Sequence, residues 1–204
     1  MPREWDGIIS QSLNRKFSRP LARFLAKYSR ITPNKITGLS WTVAVFSGIC
    51  FFFFNNLLGG ILAQLSSILD GVDGDLAILT GKTSTFGGFF DSVLDRYGDG
   101  IILMGMTYNV YKIHENWAVL VVALAALFGT FMVSYSRARA KLGFGIVFKK
   151  GFSGYAANRD IRLLITMIGG IINQVFATLA VLAVLTNLVV LKRLYDCWKF
   201  NERT

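Results

Sequence analysis

Charge is what this sequence has least of. Only 17% of its 204 residues are Asp, Glu, Lys or Arg, while 53% are hydrophobic, against roughly a quarter charged in an ordinary soluble domain. That shortage excludes a freely soluble globule, and a mean hydropathy of +0.48 points the same way. Cysteine is nearly absent. Cys50, in an apolar run, and Cys197, near the C-terminus, exclude a disulfide framework and have no metal-binding companions nearby. The single histidine, His114, falls in a short polar turn and reads as a solvated residue at the membrane surface. The first thirty residues hold no central apolar stretch, so no cleavable signal peptide is expected. Acidic residues are scarce too: Lys+Arg 22 against Asp+Glu 12 gives a net charge of +10. That excess suits lipid headgroups or anionic substrates. No zinc-ligand spacing or nucleic-acid motif accompanies it, so nucleic acid is not an expected partner.

What the chain does have is long apolar runs. A bilayer core about 30 Å thick needs roughly 20 apolar residues per helix. Runs of about that size occupy residues 36–54, 57–79, 86–111, 117–135, 161–172 and 175–191. The expected fold is therefore an all-α integral membrane protein with six transmembrane helices. On this map every Lys and Arg except Arg96 and Lys112 falls on one side, which by the positive-inside rule places both termini in the cytoplasm. Ahead of the first run, Leu13, Phe17, Leu21, Phe24, Leu25 and Tyr28 recur at helical spacing, with Arg15, Lys16, Arg19, Arg23 and Lys27 between them. This reads as a basic amphipathic helix lying among membrane lipid headgroups, the alternative being a solvated basic leader. Pro20 is expected to kink or interrupt it, and Thr32-Pro33-Asn34 to turn the chain into the first span.

Carboxylates inside apolar helices are rare, because each costs about 2.5 to 3.5 kcal/mol at the bilayer centre even on a lenient scale. Here they cluster on adjacent runs. Asp70, Asp73, Gly74 and Ala77 stand at i, i+3, i+4 and i+7, one helical stripe, and Asp91 and Asp95 at i, i+4 share a face of the next run. A short loop makes the two helices antiparallel neighbours, so the stripes are expected to converge near their cytoplasmic ends. Converging carboxylates repel unless a cation lies between them. Hard oxygen donors suit magnesium or manganese, and two such ions about 3.5 to 4 Å apart can clamp a phosphoryl group. Gly74, Ala77 and Gly87, one turn before Asp91, would let a ligand approach the backbone; small residues in membrane helices also serve plain helix packing. Asp75 points off the stripe, and Asp99 is expected to pair with Arg96.

The string Asp70-x2-Asp73-Gly74-x2-Ala77, followed by Gly87-x3-Asp91-x3-Asp95, resembles the signature of the CDP-alcohol phosphotransferase family. It departs at one place, where Ile78 replaces the family's arginine; Lys82, one turn on, could supply a positive charge nearby. Thr32-Pro33-Asn34-x-Ile36-Thr37 and Ser134-Tyr135-Ser136-Arg137-Ala138-Arg139-Ala140 look like further family segments. The leader Leu13-Asn14-Arg15-x2-Ser18 is similar to members that make or use inositol phosphodiesters. The resemblance implies a six-helix membrane fold, commonly a homodimer, and displacement of CMP from a CDP-linked donor by an alcohol acceptor. It implies that Asp70, Asp73, Asp91 and Asp95 hold two divalent ions, Mg2+ or Mn2+, that grip the donor diphosphate. Asp95 is the expected general base, and Asp70, Asp73, Gly74, Ala77 and Gly87 the nucleotide site. The chain then divides into a cytoplasmic amphipathic segment, 1–34, and a six-helix catalytic domain, 35–204.

Charge suggests where the acceptor sits. Arg137, Arg139, Lys141, Lys149, Lys150, Arg159 and Arg162 lie between the fourth and fifth runs, on the side of the acids. Arg137, Arg159 and Arg162 are the expected ligands of an acceptor phosphate, because guanidinium groups bind phosphate bidentately; simple topology marking is the alternative. Inositol phosphate is the preferred acceptor and glycerol phosphate the second. Two other classes compete: a cation- or proton-coupled transporter, which would place its acids near mid-membrane in repeated halves, and a prenyl transferase, with acids on more distant helices.

Overall fold

A computed structural model describes residues 14–28, 31–148 and 151–202. Among these the regular structure is helical throughout: α1 (Arg15–Leu25), α2 (Pro33–Phe52), α3 (Asn56–Leu79), α4 (Thr85–His114), α5 (Trp117–Phe144), α6 (Gly151–Tyr155), α7 (Arg159–Ile171) and α8 (Val175–Asn201). Leu13, Arg3, Arg30, Lys149, Lys150 and Arg203 lie outside the described residues. The helices begin where local chemistry favours it. Pro33 opens α2 behind an extended Thr32, because its fixed φ and missing N–H suit a first turn. Side chains of Asn55, Ser84 and Asn116 cap α3, α4 and α5 by accepting backbone N–H bonds from Leu58, Gly87 and Ala118. Gly145, at φ +65°, ends α5 in the left-handed conformation that glycine adopts without strain.

Three helices, α2, α5 and α8, are long and apolar enough to cross a membrane. The chain is a membrane protein. Of the other expected spans, α3 and α4 have the length, 24 and 30 residues, but carry the acids. α7 has 13 residues, about 20 Å of helix at 1.5 Å per residue.

α2 is the central element and packs against both α3 and α4; α5 packs on α8, and α3 on α7. Glycine makes the closest crossing possible. A Cβ built on Gly105 would lie 2.1 Å from the backbone oxygen of Gly48, so α4 and α2 meet backbone to backbone. Gly105→Ala is therefore expected to destabilise the protein by about 1 to 3 kcal/mol through overpacking, read as a lower thermal midpoint in detergent. An unchanged midpoint would mean that the crossing relaxes freely. Phe51, Ile102, Met106, Leu179 and Leu182 fill the main core around this crossing.

α3 and α4, joined by the short connection 80–84, lie side by side and converge at their acidic ends as expected, while each packs more extensively on α2 than on the other. One expectation needs correction. Pro20 does not interrupt α1, which runs continuously from Arg15 to Leu25. Tertiary contact holds it, since Ser18 and Ala22 are fully buried and α1 packs on α3. Its docking face is small and polar, while Phe17, Leu21, Phe24 and Tyr28 stand outward.

Candidate active site

α3 and α4 deliver the acids to one place. Asp70, Asp91 and Asp95 each present a carboxylate oxygen to a cluster in which all three lie within 4.8 Å of one another. Asp73 stands beside this trio, and its carboxylate accepts a 2.5 Å hydrogen bond from the Thr37 hydroxyl of α2. Asp91 Oδ1 is buried and has no hydrogen-bond partner among the described residues. An unpartnered buried carboxylate oxygen is costly, and within a set of hard oxygen donors it suits a divalent cation.

Two cavities meet at this cluster. The first, of about 330 Å³, is lined by Asp70, Asp73, Gly74, Ala77, Gly87 and Asp91, with Thr37 and Asn34 from α2. It thus gathers every residue expected to bind nucleotide. Ile78 and Lys82 line it too, so the lysine faces the cleft in which the signature departs. The second cavity, of about 400 Å³, is lined by Arg137, Arg159 and Arg162 together with Asp95, Arg96 and Lys141. Asp95 is therefore the carboxylate that borders the arginine cavity.

The arginines are not free charges. Arg159 Nη1 lies 3.1 Å from Asp70 and 3.1 Å from Asp95, and its Nε 3.3 Å from Asp99. Arg162 donates to Asp99 at 2.5 Å and to the Ala157 carbonyl at 2.6 Å. Arg137 donates to the Gly154 carbonyl at 2.8 Å and to the Asn158 side chain. Asp99 thus pairs with Arg159 and Arg162, not with the expected Arg96, whose guanidinium instead lies 3.4 Å from Asp95. A register one turn beyond Asp95 points Asp99 inward to α7, whereas Arg96 adjoins the cavity and is half-buried. Asp75, off the acidic stripe, is buried against Arg15 and Ser18 of α1.

Several residues here were assigned no part in the site by the sequence. Thr37 holds Asp73; it stands in the family-like segment that opens α2, but nothing in that segment pairs it with an acid of α3. Asp99 orders two arginines, and the 63-residue separation from Arg162 hides that pairing. Arg193 of α8 is 1% exposed and donates to the Val133 and Ser153 carbonyls while lying over the Phe148 ring.

Comparison with known proteins gives this arrangement a family. The model of the CDP-alcohol phosphatidyltransferase family matches residues 30–194. The chain belongs to that family. It is 38% identical to a bifunctional IPC transferase and DIPP synthase of Aquifex aeolicus, over 95% of this chain and 45% of the relative, so it spans less than half the length of that protein. It is 34% identical to an archaetidylinositol phosphate synthase of Pyrococcus horikoshii, over 92% of this chain and 95% of the relative. The fold matches the crystal structure of the Mycobacterium tuberculosis phosphatidylinositol phosphate synthase with CDP-DAG bound. That match has a TM-score of 0.76 and 24% identity and covers 90% of this chain and 94% of the other. A second structure of that enzyme, with manganese and citrate, matches with a TM-score of 0.74 and 25% identity over 89% and 88%. Family membership removes the transporter and the prenyl transferase as working alternatives.

Proposed function

We propose that this chain transfers a substituted phosphate group from a CDP-linked donor to the hydroxyl of a phosphorylated alcohol, releasing CMP, with inositol phosphate as the acceptor. CDP-diacylglycerol, its ether-lipid analogue and CDP-inositol are the donors to be compared. One observation carries the reading. Three carboxylates converge where a cleft lined by the signature residues meets a cavity lined by arginines. Relatives named for inositol phosphate products favour that acceptor over glycerol phosphate.

Each residue then has a task. Asp70, Asp73, Asp91 and Asp95 would hold two divalent cations, Mg2+ or Mn2+, whose chemistry would be Lewis acidity toward the donor's diphosphate. Gly74, Ala77 and Gly87 leave room for the cytidine monophosphate moiety against the helix backbones. Thr37 fixes the rotamer of Asp73 through its hydroxyl. Arg137, Arg159 and Arg162 hold the acceptor phosphate and so bring its hydroxyl toward Asp95. Asp95 takes the hydroxyl proton as the acceptor oxygen bonds to the phosphorus bearing the donor's alcohol and the bond from that phosphorus to the CMP oxygen breaks.

The same reading has six spans, α2, α3, α4, α5, α7 and α8, with α1 as an interfacial helix in a segment of residues 1–34 and the catalytic domain over 35–204. Termini and site face the cytoplasm, where the positive charge is concentrated, and two copies form a homodimer.

Purified protein with Mg2+, each donor and each acceptor is expected to release CMP, fastest with inositol phosphate, and to stop when EDTA removes the metal. Absence of CMP with every donor would overturn the reading; release that is faster with glycerol phosphate would overturn the acceptor alone.

A further inference from the structure

The leader string Asn14-Arg15-x2-Ser18 has no part in the chemistry above, yet all three polar residues are buried. Arg15 and Ser18 dock α1 onto Asp75 of α3. Asn14 reaches further. It is 2% exposed; its amide nitrogen donates to Ser67 Oγ at 2.8 Å and to Asp160 Oδ1 at 2.9 Å. Its carbonyl oxygen accepts from Gln64 Nε2 at 2.8 Å. Ser67 donates to the same Asp160 oxygen at 2.8 Å. One side chain thus joins the chain ahead of α1 to α3 and to the first turn of α7.

That turn carries Arg159, and it is not held by a cap of its own. Asn158, at the N-cap position, makes no side-chain capping bond; its oxygen accepts from Arg137 instead. The start of α7 is fixed by polar contacts with α3. Arg159 Nη2 donates to Ser66 Oγ at 3.3 Å, and Asp160 takes the bonds from Ser67 and Asn14. Ser66 and Ser67 lie one turn before Asp70 on α3, so the register of Arg159 against the acidic cluster is set at this junction.

We propose that Asn14 is a positioning residue for the acceptor cavity. By holding Asp160 it sets the first turn of α7, and hence where Arg159 and Arg162 meet an acceptor phosphate. The inference rests on the phosphotransferase reading, and it gives the leader string a physical role in selecting a phosphorylated acceptor.

The test is steady-state CMP release by full-length protein in detergent, with inositol phosphate and with unphosphorylated inositol. Removing the two amide donors in Asn14→Ala is expected to raise KM for inositol phosphate about tenfold, with donor KM and kcat within about twofold of wild type. Asn14→Asp, which sets a carboxylate against Asp160, is expected to raise it further. Turnover of inositol, which lacks the phosphate the arginines hold, is expected to change less than about twofold, whereas a merely structural defect would depress both acceptors equally. Asn14→Ser, which keeps a single hydroxyl donor in place of the amide, is expected to shift the same KM about threefold; it decides the matter should Asn14→Ala and Asn14→Asp not fold. An unchanged KM for inositol phosphate in the folded variants, or equal losses with both acceptors, would overturn the inference. A wild-type enzyme that releases no CMP would fail the underlying function instead.

Discussion

Asp91→Asn is expected to lower CMP release by about a thousandfold, the upper end of what removing one preorganised electrostatic contact does to a transition state, or about 4 kcal/mol in the barrier. The reason is the position of Asp91 in the carboxylate trio, with one buried oxygen that nothing else in the described residues satisfies. A change this large at a folded protein's surface would be unreasonable. Here the carboxylate sits among like charges, so its removal also relieves repulsion. The variant is therefore expected to unfold at the same temperature as wild type or higher, while losing Mn2+ affinity measured by electron paramagnetic resonance. The combination separates a site residue from a structural one. Loss of activity with a lowered midpoint and intact Mn2+ binding would show that Asp91 supports the fold and not the site.

The second large effect runs the opposite way. Asp99→Ala is expected to destabilise the protein by about 3 to 5 kcal/mol, the usual consequence of removing one partner from a buried ion pair. Asp99 is 5% exposed and lies between Arg159 and Arg162, themselves little exposed. Its loss leaves Arg162 with the Ala157 carbonyl but no counter-charge, and strips Arg159 of one of three carboxylates. Asp99→Asn keeps an acceptor oxygen for one guanidinium and is expected to fall between Asp99→Ala and wild type. Thermal unfolding of the three proteins checks this order. Equal midpoints would show that the pair is solvated, and that Asp70 and Asp95 alone order the arginines.

Much of this arrangement could be read from residue spacing, and the exceptions share a cause. The starts of the six apolar runs lie within three residues of helix starts, because hydropathy is a local signal, but α5 and α8 continue to Phe144 and Asn201, well past the apolar stretches that end near residues 135 and 191. The acidic stripe is local as well, because i, i+3 and i+4 positions on one helix share a face whatever the helix packs against. What the sequence concealed were partners distant along the chain. Asp99 with Arg162, Asn14 with Asp160 and Asp75 with Arg15 are separated by 63, 146 and 60 residues, and no periodicity encodes such pairings. The amphipathic pattern of α1 marks an apolar edge that stands outward, while the contacts that bury the helix use Arg15, Ser18 and Ala22, with Asn14 just ahead of it. Pro20 broke no helix because burial of Ser18 and Ala22 outweighs one missing backbone hydrogen bond.

The meeting of α3 and α4 through their acids has a thermodynamic corollary. The two rods are braced by a shared third, α2, and meet at acids that Arg159 bridges through Asp70 and Asp95 while one oxygen of Asp91 is left without a hydrogen-bond partner among the described residues. Any ligand that bridges Asp70 and Asp91 acts as a clasp between them, and its affinity must appear as added resistance to unfolding, growing with the logarithm of ligand concentration once the site is filled. Melting temperature thus becomes a gauge of occupancy that requires no turnover at all.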